Sequence, residues 1–274
     1  MRTLSSHRRH PLAGVVVLLL GLVLVGGVYS MAAPRTAEAD TVSSDLVDEG
    51  KQLFLVGCAS CHGLNADGIE QADGGQYGPS LVGVGAAAVD FQVGTGRMPL
   101  AQNSQQGEEK PPVYSEEETA ALAAYVASLS PGPAIPPEED YDTSGLSTEE
   151  IVEGREFFQT NCSACHGTQG QGGALGSGQY APPLWGVEPV HIYEAMLTGP
   201  QAMPVFSDEV ITPEQKRHVI AYVASLEEQP NYGGSGLGSF GPVTEGLAGW
   251  LVGMGVLVGF ATWIGATAVR ARKS

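Results

Sequence analysis

The hexapeptides Cys58-Ala59-Ser60-Cys61-His62-Gly63 and Cys162-Ser163-Ala164-Cys165-His166-Gly167 follow one pattern and stand 104 residues apart. Their surroundings are duplicated as well. Glu49-Gly50-Lys51-Gln52-Leu53-Phe54 returns at the same shift as Glu153-Gly154-Arg155-Glu156-Phe157-Phe158. Tyr77-Gly78-Pro79-Ser80-Leu81-Val82-Gly83 returns at 103 as Tyr180-Ala181-Pro182-Pro183-Leu184-Trp185-Gly186. Met98-Pro99 returns at 105 as Met203-Pro204, and Ala124-Tyr125-Val126-Ala127-Ser128-Leu129 at 97 as Ala221-Tyr222-Val223-Ala224-Ser225-Leu226. Self-similarity at a fixed period marks repeated structural units. Two tandem domains are therefore expected, over residues 40–129 and 146–229.

The ends are of another kind. Ala13 to Ala33 is a run of 21 uncharged residues preceded by Arg2, Arg8 and Arg9. Gly246 to Val269 is a run of 24, followed by Arg270, Arg272 and Lys273. A helix of about 20 apolar residues crosses the hydrocarbon layer, so both are long enough. Residues 1–39 are expected to be a membrane helix or a signal segment, with Ala37-Glu38-Ala39 fitting a small-x-small cleavage site. Residues 246–269 are expected to be a transmembrane helix, with 270–274 as a basic cytoplasmic tail. The cationic flanks put both ends in the cytoplasm and the middle on the outer face of the cell membrane.

Charge narrows the partners. Residues 40–245 hold 29 acidic side chains against Lys51, Arg97, Lys110, Arg155, Lys216 and Arg217, a net of −23. Nucleic-acid binding needs clustered cations to neutralise phosphate, so it is excluded. The acidic surface suits either plain solubility or the steering of basic partners.

Local signals point to helices. Ser147 with Glu150 and Ser115 with Glu118 are capping-box patterns, opening helices that run towards Asn161 and Leu129. Thr212-Pro213-Glu214-Gln215 joins an N-cap to a first-turn proline, for a helix reaching about Glu227. No run alternates with period two for long enough to be a strand. The fold class expected is all-α: two small, loop-rich domains. Residues 130–145 read as a proline-rich, stiff spacer, and 230–245 as a glycine-rich, flexible one.

All four cysteines lie in the two Cys-x-x-Cys-His motifs. As disulfides they would close very short loops and stabilise little. A redox dithiol is expected beside a strand–helix unit, which is lacking. As zinc ligands, the pairs sit in separate repeats. Covalent attachment of c-type haem accounts for both motifs at once: Cys58, Cys61, Cys162 and Cys165 bond the porphyrin, and His62 and His166 ligate iron. Two covalently bound haems c are the expected cofactors, filling domains too short for a large core.

The sixth ligand separates a carrier from a catalyst. Met98 lies 36 residues after His62, and Met203 lies 37 after His166. They are the repeat-matched methionines, and a Met/His pair is a carrier's ligand set. Core methionines filling space are the competing reading. Pro79 and Pro182 are placed to offer a carbonyl to the second ring nitrogen of each histidine, fixing its orientation. Simple turn residues are the alternative there.

With these motifs in hand, both repeats resemble class I cytochrome c. In that family a glycine on the first helix lets the last helix cross closely beside an aromatic. Gly50, Phe54 and Tyr125 match those positions, as do Gly154, Phe158 and Tyr222. The plan of apolar segment, two such domains and C-terminal membrane helix resembles the dihaem cytochrome c subunits of actinobacterial cytochrome bc1 (bcc) complexes. Thr95-Gly96-Arg97-Met98-Pro99 and Thr198–Phe206 look like that family's two methionine loops. The resemblance implies partnership with a cytochrome b subunit, a Rieske iron–sulfur subunit and an aa3-type oxidase. It implies a relay of electrons from the Rieske protein towards the oxidase, within a quinol–cytochrome c oxidoreductase, the chain having no substrate chemistry of its own.

One departure stands out. Met98 to Tyr125 spans 27 residues against 19 in the second copy, owing to an insertion at Gln102–Pro112. The loop could contact a partner, but loops tolerate insertions, so a plain surface insertion is the expectation. Two other functions compete with the relay: the cytochrome subunit of another dehydrogenase or oxidase, and a dihaem peroxidase. A peroxidase needs an open iron and acid–base groups. The spare histidines His191 and His218 read instead as surface residues, His218 on a solvated face with Lys216 and Arg217.

Overall fold

The computed structural model describes residues 11–32, 44–71, 74–102, 104–227 and 242–273. The chain divides into two units, residues 1–43 and 44–274. In the first, α1 (Pro11–Ala32) is a single helix of 22 residues. The tripeptide Ala37-Glu38-Ala39, the flanking Arg2, Arg8 and Arg9, and most of the 230–245 spacer lie outside the described residues.

In the second unit, the first repeat runs α2 (Ser44–Gly57), α3 (Ala59–His62), β1 (Ile69–Glu70), β2 (Gln76–Gly78), α4 (Gly85–Gly94) and α5 (Glu116–Leu129). After the short α6 (Glu138–Tyr141), the second repeat follows the same order. Its elements are α7 (Thr148–Asn161), α8 (Ser163–His166), β3 (Gly173–Ala174), β4 (Tyr180–Ala181), α9 (Pro189–Thr198) and α10 (Pro213–Glu227). Helix α11 (Pro242–Lys273) closes the chain. Its Thr244–Thr267 stretch is the one helix among the described residues long and apolar enough to cross a membrane, with none of that stretch buried.

The three helix starts legible in the sequence are made as their caps dictate. Ser115 N–H donates to Glu118 Oε2 (2.9 Å) while Glu118 N–H donates to Ser115 Oγ (3.3 Å). Ser147 and Glu150 repeat this at 2.7 and 3.3 Å. Thr212 and Gln215 do so at 3.1 and 3.3 Å. Each box satisfies two N–H groups that the first helical turn leaves unpaired.

The core of each repeat forms where its first helix crosses its last. A Cβ on Gly50 would run into the Ala121 carbonyl, and one on Gly154 into the His218 carbonyl. Only glycine permits such backbone contact. Beside each crossing an aromatic pair closes the gap: Phe54–Tyr125 with centroids 5.2 Å apart, and Phe158–Tyr222 at 5.4 Å. Phe54 and Phe158 are almost wholly buried, each stabilising its repeat by about 1.5–3 kcal/mol relative to exposure.

The molecule is mostly helical, with two small antiparallel ladders that the sequence did not reveal. Ile69 faces Gly78 across β1–β2, and Gly173 faces Ala181 across β3–β4. Strands of two or three residues are too short to show an alternation. Their importance is positional, since β2 delivers the chain to Pro79 and β4 to Pro182.

The two repeats touch. Helix α4 lies against α9, where a Cβ on Gly94 would stand 3.2 Å from His191 Cε1. The proline-rich spacer lies along the start of α4, with Ala87 N–H donating to the Pro133 carbonyl at 3.2 Å. Gly85, at φ +80°, leaves no room for a side chain beside Pro133.

Candidate functional site

In each repeat the Cys-x-x-Cys-His segment is a single helical turn, which puts both thiols on one side and the histidine at its end. Helix α3 ends at His62 and α8 at His166. His62 Nδ1 lies 2.8 Å from the Pro79 carbonyl oxygen, and His166 Nδ1 lies 3.0 Å from that of Pro182. A carbonyl can only accept, so in both rings Nδ1–H is the donor. The tautomer is thereby set, and Nε2 keeps its lone pair for a metal. Burial lowers the His166 pKa, with the Pro182 bond opposing, which favours the neutral ring.

The four cysteines are not paired in disulfides. Burial, with a smaller contribution from the neighbouring cysteine, pushes Cys58 and Cys162 up to about 11. Redox-active dithiols work through a lowered thiol pKa. This pair is shifted the other way.

In the second repeat Cys162, Cys165, His166 and Met203 line one cavity of about 350 Å³. Its walls are mainly apolar, including Phe158, Leu184, Ile192, Met196 and Val223. Met203 is carried there by the turn after α9, where Phe206 N–H returns to the Met196 carbonyl at 2.7 Å. In the first repeat Cys58, Leu81 and Met98 pack against one core cluster containing Phe54, Leu122 and Val126. Met98 N–H is held by the Gln92 carbonyl at 2.8 Å.

Comparison with known proteins decides the family. The cytochrome c family model matches residues 47–130, and that of cbb3-type cytochrome c oxidase subunit III matches 149–223. The cytochrome bc1 complex cytochrome c subunit of Corynebacterium diphtheriae is 43% identical over 272 residues, covering 94% of each chain. That of Mycobacterium tuberculosis is 44% identical over 269 residues, covering 97% of this chain and 94% of the relative. The chain belongs to the family of cytochrome bc1 complex cytochrome c subunits. By contrast, the cbb3-type cytochrome c oxidase subunit FixP of Sinorhizobium medicae is 27% identical and covers 51% of this chain. Within the bc1 family the tandem cytochrome c domains support an electron-carrier role.

Three expectations need correction in this bc1-family chain. The Gln102–Pro112 insertion is not a detached surface loop. Gln106 clasps the second repeat, with Nε2 donating to the Tyr180 carbonyl (2.7 Å) and Oε1 accepting from Tyr180 N–H (2.9 Å). Gln201 Nε2 donates back to the Gly107 carbonyl at 3.2 Å. Lys216 and His218 are not on a solvated face. Lys216 is fully buried, its ammonium 2.5 Å from Asp208 Oδ1 and 4.8 Å from the Tyr193 ring centroid. His218 is buried facing Glu153 (3.3 Å) and Glu150 (3.7 Å) on α7.

His191 is not a surface residue either. It is half-buried at the α4–α9 contact, with Nδ1 2.9 Å from Glu194 Oε2 and its ring edge-on to Phe91. Glu194 is wholly buried and faces Asp90 of α4 as well. Burial raises the Glu194 pKa to about 7, Asp90 adding to the rise and the His191 bond opposing it. Burial alone would lower His191, but the Glu194 bond and the nearby carboxylates outweigh it and raise the value. Arg97, which lines the cavity, and Asp90 and Glu194, which meet His191 at the α4–α9 contact, carry no motif. Only Arg97 had a signal, standing next to Met98.

Proposed function

We propose that the chain is a membrane-anchored dihaem electron carrier, the cytochrome c subunit of a quinol–cytochrome c reductase. It relays electrons from the Rieske iron–sulfur protein towards an aa3-type oxidase. Its partners in the membrane are then a cytochrome b subunit and the Rieske subunit, with both repeats on the extracytoplasmic face and the C-terminus in the cytoplasm.

The observation that carries this reading is the gathering of two thiols, a Nε2-bare imidazole and a thioether around one apolar cavity. That donor set fits a haem c, with two thiols to bond the porphyrin, an imidazole and a thioether for the iron, and apolar walls for the ring. Bound haem supplies a one-electron iron couple of raised potential when its ligands are His and Met. Cys58 and Cys61, and Cys162 and Cys165, would each hold one haem c by thioether bonds. His62 and His166, oriented by the Pro79 and Pro182 carbonyls, would supply one iron ligand in each repeat. Met98 and Met203 would supply the second, so that the iron would serve electron transfer and not substrate binding. The apolar walls exclude water. Helix α11 keeps both repeats at the membrane, which raises their effective concentration near the partners.

The test is affinity purification of the tagged full-length chain from native membranes. The expected result is two haems c per chain in the alkaline pyridine spectrum, together with co-purified cytochrome b and Rieske proteins. Recovery with a different dehydrogenase or oxidase and without cytochrome b would overturn the assignment.

A further inference from the structure

The cavity of the second repeat is completed by residues of the first, Arg97 among them. Arg97 directly precedes Met98, and its side chain lines the cavity that holds Cys162, His166 and Met203. It is 7% exposed and sits 4.8 Å over the Phe91 ring. Nη2 reaches Glu109 Oε2 at 3.3 Å, a partner that is 60% exposed. Nη1 is buried with no hydrogen-bond partner. An unsatisfied N–H of a buried cation is costly, so a group facing it from the cavity is called for.

The electrostatics of the cavity indicate which group. Among the described residues lining it, Arg97 is the one lysine or arginine, with Glu108 and Glu109 as the carboxylates and Glu109, bound to Nη2, 60% exposed. A c-type haem carries two carboxylates on the porphyrin edge opposite its thioether bonds, and guanidinium is the side chain best shaped to receive a carboxylate. The corresponding position of the second repeat, before Met203, is Ala202. The cation is therefore no general property of the repeat. The insertion fixes it in place: Lys110 Nζ donates to the carbonyls of Gly96, Arg97 (3.2 Å) and Pro99 (2.9 Å), while Gln106 clasps Tyr180.

We propose that Arg97 of the first repeat binds a carboxylate of the haem held by the second, with the Gln102–Pro112 insertion clamping it across the domain boundary. This rests on the haem reading of Cys162, Cys165, His166 and Met203. A fixed cation beside a haem favours its reduced, less positive form, so Arg97 raises the potential of the second haem and not the first.

The experiment is a spectroelectrochemical titration of the purified full-length chain and its Arg97→Gln, Arg97→Lys and Gln106→Ala variants. Haem content is measured first, and the second haem is identified by its large fall in potential in a Met203→His chain. In Arg97→Gln the second haem is expected to shift at least tenfold towards the oxidised form, 59 mV for one electron, with the first unmoved. Arg97→Lys recovers part of the shift, keeping charge but losing the planar fork. Gln106→Ala, which leaves the Met98 segment intact, gives a smaller fall in the second haem alone. An unchanged second haem in Arg97→Gln overturns the proposal. So does a fall confined to the first haem or equal in both, which would make Arg97 a support for Met98. If Arg97→Gln does not fold, an unmoved second haem in Gln106→Ala overturns it. A wild-type chain with fewer than two haems c contradicts the proposed function itself, and the initial haem count distinguishes that failure.

Discussion

The two repeats share helix order, glycine crossing and a histidine bonded to a proline carbonyl, yet their surroundings differ. His62 is half-buried where His166 is buried, and the second cavity is finished by a loop that belongs to the first repeat. The first repeat's methionine loop spends its extra length on this contact. Duplication supplied two similar sites, and the insertion made them unequal. In the proposed dihaem carrier such inequality would matter, because charge and burial set potential even when the ligands are identical.

The largest effect is expected at what the repeats share. Gly50→Val and Gly154→Val each force a side chain into a helix carbonyl. Each is expected to destabilise its own repeat by about 3 kcal/mol or more, at the upper end of overpacking costs. Chemical denaturation following the visible haem bands would register it. Tolerance of valine in either repeat would mean that the helices do not cross as described.

A middle-sized effect is specific to the second repeat. Lys216→Met removes the ion pair to half-exposed Asp208 while keeping apolar bulk against Tyr193. A loss of about 1.5–3 kcal/mol is expected, as for a hydrogen bond to a charged group, in the second repeat only. A stability change shared by both repeats would break the distinction between them.

The pH dependence sharpens the comparison at the boundary. Glu194 has a folded pKa of about 7, above the ordinary carboxylate value. The folded state therefore holds this proton more tightly, and stability is lost as pH rises from the ordinary carboxylate range through about 7. His191 is also raised, so its contribution is present below its ordinary value and fades as pH climbs through the folded one. Both act in one direction, at most about 1.4 kcal/mol per pH unit for each group. Amide protection factors in α4 and α9, taken relative to the intrinsic exchange rate at each pH, are expected to fall between pH 5.5 and 8, and Glu194→Gln to flatten the trend. A pH-independent wild type would contradict it.

The smallest effects concern the caps. Ser115→Ala and Ser147→Ala are expected to cost about 1 kcal/mol each, one in each repeat, read as matched shifts in denaturation midpoint.

The parts of this molecule that could be read in its sequence are those governed by local rules. Capping boxes at Ser115 and Ser147 depend on four consecutive residues, and the Cys-x-x-Cys-His segment on five. Helix α4 begins at a glycine of positive φ and carries no such signature, while α9 has a first-turn proline after an extended Glu188 but no capping side chain. The Lys216-Arg217-His218 run reads as solvated because its partners, Asp208, Tyr193, Glu150 and Glu153, come from elsewhere in the chain. The role of the insertion was hidden for the same reason. Gln106 meets Tyr180 across 74 residues, and no local pattern encodes that contact.

In the central proposal, His62 with Met98, and His166 with Met203, would supply both iron ligands in their repeats. Exposure of the dithionite-reduced full-length chain to carbon monoxide probes that ligation directly. The visible spectrum is expected to stay unchanged at both centres. Stoichiometric carbon monoxide binding at either one would show an open iron and contradict the carrier assignment.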